Sequence, residues 1–308
     1  MEKIDQIVFG DNQFFGINHM SQEKAQQLAE RFFQTENIFK VYDLAFKHGI
    51  NAVMLNSNDR AKEICDYFRD NKSKYGHLSW YPSIPYPHKY ANMVNEKGIF
   101  PAINDILFKN NSALGVLGMV AKGGMAVFNK DAIELMKMLV DLEVKIFKGL
   151  NIKVVFLQNI IVDLLLGYGI KEVFYEYCSY VRKKYNALPG LITQNLPHLK
   201  VKLEEWGIDE IVICSSINKI GYLMSPDIPT YIDTIQNNDP SKYQLMAMST
   251  LASGAVRATD AYEFINSLNL QSVVFGASSE KNIQETISLI KLTGESALHV
   301  SQDVPDRI

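Results

Sequence analysis

The chain has little of what would assign it to a specialised class. Its 308 residues include three cysteines, Cys65, Cys178 and Cys214, and two tryptophans. Three scattered cysteines with no Cys-x-x-Cys pair exclude a disulfide framework and a cysteine metal site, and point to a reducing, cytoplasmic setting. Charge of neither sign is in excess. With 31 basic and 34 acidic residues the net charge is −3, which leaves no electrostatic footprint for nucleic acid. Long apolar runs are missing too: the weakly polar stretch 112–128 is broken by Lys122, Gly115, Gly118, Gly123 and Gly124, whereas a bilayer span needs ~20 mostly apolar residues. Ile7-Val8-Phe9 is cut short by Gly10-Asp11, which leaves no signal-peptide core. With no nucleic acid and no membrane expected, the partner is a small-molecule substrate; a homo-oligomer is left open.

What is present is a repeated pattern. Apolar residues make up 47% of the chain and charged residues 21%, a globular balance. Glu210 to Ser216, Gln244 to Thr250 and Ser272 to Ser279 are each an apolar run that ends in small polar residues. Buried parallel strands read as continuous apolar runs, and in a (β/α)₈ barrel their C-terminal ends line the active site. Upstream, strands are predicted at Ile7–Gly10, Asn51–Asn56, Leu78–Ile84, Lys153–Gln158 and Leu191–Gln194. Helical spacing falls between them, with a helix pair over Ser21–His48 broken near Thr35-Glu36-Asn37. Such alternation predicts a single α/β domain over 1–308, a (β/α)₈ TIM barrel of eight strands. Between Ile84 and Lys153 lies far more chain than the ~30 residues of one βα unit. Asp131–Lys148 supplies the expected layer helix, and 88–129 is read as an insertion between strands three and four, either a lid over the mouth or an interface with a second copy.

Several stretches in order resemble the aldo-keto reductase superfamily, a (β/α)₈ barrel of NADP-dependent carbonyl reductases. They are Phe9-Gly10-Asp11-Asn12-Gln13-Phe14-Phe15-Gly16, Ala45-Phe46-Lys47-His48-Gly49-Ile50-Asn51, Leu191 to Leu199, and Phe275-Gly276-Ala277-Ser278-Ser279. The resemblance covers nearly the whole chain except 88–129. It implies NADP as a cofactor, gripped through its phosphates at Gly276, Ser278 and Ser279. The helix start beyond that turn is by itself a place for phosphate binding, to which Arg257 could add charge. The family's redox residues do not carry over. Met54 stands at the aspartate position, Asn58 near the tyrosine, Ser83-Ile84-Pro85 at the lysine and Gln158 at the histidine. A reductase needs that tyrosine as its acid and the lysine to tune it, so ordinary carbonyl reduction is not expected.

The strand ends offer neutral hydrogen-bonding groups instead: Asn12 and Gln13, Asn56 and Asn58, Gln158 and Asn159, Gln194 and Asn195, Ser215, and Ser249. A cup of amides and hydroxyls suits a polyhydroxylated or amide-bearing ligand, although each such residue is equally at home capping a helix or closing a turn. Asp11 is the one carboxylate placed there. Asp11, with His88 or His198 in overhanging loops, forms the candidate acid/base set. No strand carries a lysine near its C-terminal end for Schiff-base chemistry, and the strand ends offer too few ligands for a metal. The sequence therefore points to a cytoplasmic enzyme doing non-redox acid/base chemistry, of lyase or isomerase type, on a small polar substrate, sugar-like or phosphorylated. The alternatives are a diverged NADP-dependent reductase and a non-catalytic ligand-binding or assembly subunit.

Overall fold

The computed structural model describes residues 1–15, 22–86 and 125–292. Eight parallel strands close on themselves: β1 (Ile7–Phe9), β2 (Ala52–Asn56), β3 (Ser79–Ile84), β4 (Val154–Leu157, led in by the short piece Asn151–Ile152), β5 (Leu188–Thr193), β6 (Ile211–Ser216), β7 (Tyr243–Met248) and β8 (Ser272–Phe275). The hydrogen-bonded order runs β2-β1-β8-β7-β6-β5-β4-β3, and β3 pairs back to β2. Outside the wall lie Thr35–Lys47, Ala61–Asp70, Met125–Val144, Lys171–Tyr185, Leu196–Trp206, Ile228–Gln236, Ala258–Asn266 and Glu280–Leu289. The (β/α)₈ barrel expected from the sequence is the architecture observed.

Because side chains alternate along a strand, each strand feeds two cores. One set fills the barrel: Val8, Met54, Tyr81, Phe156, Ile192, Cys214, Met246 and Val274 all belong to one buried cluster. The intervening residues, such as Phe9, Val53, Leu55 and Trp80, pack outward against the helices, where Phe14, Tyr42 and Phe68 join them. Both faces are buried, which explains why the strands read as unbroken apolar runs. Gly190 is glycine for a packing reason, since a β-carbon there would overlap the Phe156 ring and lie 2.8 Å from Val154 Cγ1.

From below, the N-terminal segment seals the barrel. Ile4 is buried in the interior cluster, its amide donates to Gln244 Oε1 at 2.9 Å, and Gln244 Nε2 donates to the Glu2 carbonyl at 2.6 Å. Asp5 accepts from Tyr81 Oη at 2.5 Å and pairs with Lys153 Nζ at 3.1 Å. Lys153 is an extra residue in the wall. Ser79 and Trp80 pair with Asn151 and Ile152, but Ser83 and Ile84 pair with Phe156 and Leu157, so the register slips by one across a β-bulge. The slip changes which face the strand presents: Ile152 packs outward, whereas Val154 and Phe156 point into the barrel.

Three sequence expectations shift. The break in the first helix pair, read near Thr35-Glu36-Asn37, falls at 32–34, just before Thr35. The layer helix before β4 begins at Met125 rather than Asp131. An additional helix, Asn159–Gly167, follows β4; it is apolar nearly all round and so has no legible stripe. Of the insertion read at 88–129, positions up to 124 lie outside the described residues.

The tightness of the barrel interior has a direct test. Gly190→Ala is expected to cost about 1–3 kcal/mol by urea denaturation, the usual penalty for overpacking. Gly167→Ala, whose β-carbon would meet nothing within 4 Å, serves as the neutral control. Equal stability of the two variants would mean that the interior yields without strain.

Candidate functional site

Asp11 follows β1 at the C-terminal mouth and is 3% exposed. Its Oδ2 accepts from the Asn56 backbone amide at 2.9 Å, and its Oδ1 from Asn56 Nδ2 at 2.6 Å, with a long third contact from Asn58 Nδ2 at 3.5 Å. Gln158 Nε2 in turn donates to Asn56 Oδ1 at 2.6 Å and to Ser83 Oγ. One connected network thus joins the ends of β1, β2, β3 and β4. Burial pushes the Asp11 carboxyl up to about 6, and the two hydrogen bonds from Asn56 only partly oppose that shift. A carboxylate that titrates about 6, fixed in place by amides, is suited to take a proton at neutral pH. Tyr86 shares this corner. It is half-buried, its amide donates to Ser57 Oγ at 3.1 Å, and burial followed by the nearby charges of Asp11 and Asp59 pushes its hydroxyl up to about 12.

Gln13 lies at the junction of β1 and β8 and is 8% exposed. Its Nε2 donates to the Gly10 carbonyl at 2.8 Å, while its Oε1 is buried with no hydrogen-bond partner among the described residues. That oxygen occupies the space beside Gly276, where a β-carbon would overlap it. On the far side of the mouth Ser216 Oγ donates to Ser249 Oγ at 3.2 Å. Leu223, Ser249, Ala252 and Ser253, in the loops after β6 and β7, all adopt positive φ between 46° and 58°. Left-handed backbone at non-glycine residues is strained and gathers where side chains must be aimed.

The structure brings together Asp11, Asn56, Asn58 and Gln158 and sets Gln13 at the adjoining corner. Ser83 is a member that the sequence reading passed over, because it was weighed only as a lysine replacement. Other expected residues go elsewhere. Ser215 faces outward, its hydroxyl donating to the Thr193 carbonyl at 2.8 Å and lying 3.2 Å from Tyr231 Oη; the inward residue is Ser216. Asn195 caps its helix by accepting from the His198 amide at 3.2 Å, and His198 is exposed on that helix. Asn12 is exposed, and Asn159 opens the additional helix. Gln194 is half-buried with its backbone engaged, its amide donating to Asp163 at 3.0 Å. His88 lies outside the described residues. Of the residues that the resemblance sets at the redox positions, Met54 is buried inside the barrel and Ile84 points outward into the helix layer. Among the described residues no group of three or more His, Cys, Asp or Glu could hold a metal ion.

At the turn expected to take phosphates, the Ser279 hydroxyl caps the following helix. Ser279 Oγ accepts from the Asn282 amide at 3.3 Å, and the next residue, Glu280, pairs with Lys47 Nζ at 3.0 Å and His48 Nε2 at 2.8 Å. Arg257 is spent on its own helix, at 2.8 Å and 3.1 Å from the two oxygens of Asp260, with its side chain 82% exposed.

No family model matches the chain, and no curated protein matches it in sequence. Solved structures do match. The aldose reductase from Schistosoma japonicum aligns over 96% of this chain and 89% of its own at 10% identity and a TM-score of 0.53. A protein assigned as a 2,5-diketo-D-gluconic acid reductase B aligns over 94% and 84% at 10% identity and 0.54. The chain has the aldo-keto reductase fold. An aldo-keto reductase of Bombyx mori, in complex with NADP, covers 93% of this chain and 84% of its own at 10% identity and 0.51. At the turn that the resemblance gives to its phosphates, Gln13 Oε1 lies against Gly276, and Glu280, paired with Lys47 and His48, opens the helix.

Linkage makes the state of Asp11 measurable. Its folded value lies above the ordinary carboxyl value of 3.8, so its contribution to stability is complete well below pH 3.8 and is lost as the pH rises to about 6. Between pH 4 and pH 7 the stability of wild type relative to Asp11→Asn should therefore fall, by roughly 2 kcal/mol. A difference that stays flat across that range would place the carboxyl in an ordinary environment.

Proposed function

We propose that this chain is an enzyme that uses Asp11 as a general acid/base on a small, polar, sugar-like substrate held at the C-terminal mouth, by proton transfer rather than hydride transfer. The observation that carries the reading is Asp11 itself, buried without a cation beside it among the described residues, oriented by amides and raised to about 6. Removal of a proton next to a carbonyl, and its return elsewhere, would need such a group and nothing redox-active. Asn56, Gln158 and Ser83 act as positioning residues, since their bonds fix the rotamer of the carboxylate. The lyase or isomerase class is favoured by the replaced redox positions: Met54 and Ile84 can neither donate nor accept a proton. A cytoplasmic setting accords with the three buried thiols and with the lack of any described helix long and apolar enough to cross a membrane.

The second reading, an NADP-dependent reductase, is favoured by the likeness to the silkworm protein and opposed by Met54, buried where the resemblance sets the family's aspartate.

Hydroxy-carbonyl compounds incubated with the protein in D₂O should exchange the proton beside the carbonyl, as followed by proton NMR. Asp11→Asn should slow exchange by about 10²–10⁴-fold, the usual share of a general acid/base. The rate should rise with pH through about 6 as the carboxyl ionises. Steady NADPH oxidation with aldehydes, undiminished in Asp11→Asn, would sink the proposal in favour of the reductase reading.

A further inference from the structure

We propose, resting on the acid/base reading of Asp11, that Ser249, backed by Ser216, binds a hydroxyl of the substrate on the far side of the mouth and so selects a polyhydroxy chain of about four to six carbons. Ser216 closes β6. Alternation with Val212 and Cys214, both members of the interior cluster, turns its side chain into the barrel. It is fully buried, and its Oγ donates to Ser249 Oγ at 3.2 Å. Ser249, just past the end of β7, is half-buried and open to the mouth on its other side. It thus receives a proton from beneath, while among the described residues its own hydroxyl proton has no acceptor. A ligand oxygen would supply one.

The backbone of Ser249 holds a φ of 55°, a conformation unfavourable for any residue with a β-carbon and free of strain for glycine. What serine adds there is the hydroxyl. Met248 stands in register with Ser216 and packs against the interior cluster while half-buried, which sets apolar surface beside that hydroxyl. A polyol presents C–H and O–H groups along one chain and can use both. An anion is disfavoured: among the described residues no lysine or arginine donates to either serine, Lys219 is exposed, and Arg257 is held by Asp260. Reach sets the length. In the wall β7 is two places from β1, and neighbouring strands lie about 4.8 Å apart, so about 10 Å separate the two strand ends. The side chains of Asp11 and Ser249 take up part of that span, and a chain of about four to six carbons bridges the rest.

The test reads binding of alditols, which have no carbonyl and so no exchangeable proton beside one, and its failure is separable from failure of the acid/base role of Asp11. Glycerol, erythritol, xylitol and sorbitol are titrated into full-length wild type, Ser249→Ala and Ser249→Gly and followed by saturation-transfer NMR, after melting curves establish that each protein is folded. Wild type should bind at least one of the longer alditols at millimolar concentration and more tightly than glycerol. Both variants should weaken that binding by at least about tenfold, and equally, because both lack the hydroxyl. In stability they should part: Ser249→Gly, relieved of the strain at a φ of 55°, should melt above Ser249→Ala. Ser249→Gly alone decides if the alanine variant does not fold. Wild type that binds none of the four, or binds glycerol as tightly as the rest, would overturn the proposal. So would a Ser249→Gly that binds as tightly as wild type, because the loss in Ser249→Ala would then follow backbone strain rather than the hydroxyl.

Discussion

A carboxylate buried without a cation must be held by dipoles, and the mouth of this barrel is organised around that constraint at Asp11. Among the described residues every donor that reaches it is an amide: the backbone of Asn56, the side chain of Asn56 and, more distantly, that of Asn58. Burial raises the carboxyl to about 6, and the amides that orient it only partly oppose that shift. The requirement spreads outward. Asn56 can serve Asp11 only if its own oxygen is satisfied, which is the work of Gln158, and Gln158 is in turn anchored on Ser83. Four strand ends are therefore fixed relative to one another by the needs of one group.

The two ends of the barrel solve opposite problems with overlapping residue types. At the floor an aspartate, a tyrosine and a lysine meet, as Asp5, Tyr81 and Lys153, and the cation is present. Burial and the charge of Asp5 push the Tyr81 hydroxyl far above its ordinary range, which makes it a fixed hydrogen-bonding post. The tyrosine of a reductase needs the reverse. At the mouth the cation is missing among the described residues, and the Asp11 carboxyl is held by amides instead. Residue types alone do not separate seal from site; position along the strand does.

Much of the architecture was legible in the sequence because strands buried on both faces leave continuous apolar runs, as in Ile211–Ser216 and Tyr243–Met248. The polar ring was legible in outline and misread in detail. Side-chain parity decides which of two adjacent serines enters the mouth, and a run such as Cys214-Ser215-Ser216 gives no sign that Ser216 does so while Ser215 ties β6 to Tyr231. Gly276 reads as part of a turn before a helix start, and nothing local names what packs against it. Its actual neighbour, Gln13, lies at the other end of the chain, and such a pairing appears only once β1 and β8 are side by side. The helix Asn159–Gly167 was hidden by the uniformity of its apolar residues.

The bulge at Lys153 couples the two ends of one strand. Because it reverses the facing of everything after it, Gln158 reaches the mouth network only through an extra residue placed at the floor, where Lys153 is held by Asp5. The wall thus behaves as a ratchet with a tooth at the bottom. Lengthening or shortening β4 by one residue would leave a barrel of the same shape whose β4 carried its glutamine on the outside, so the address of a site residue is written in the counting of the strand as well as in the residue itself.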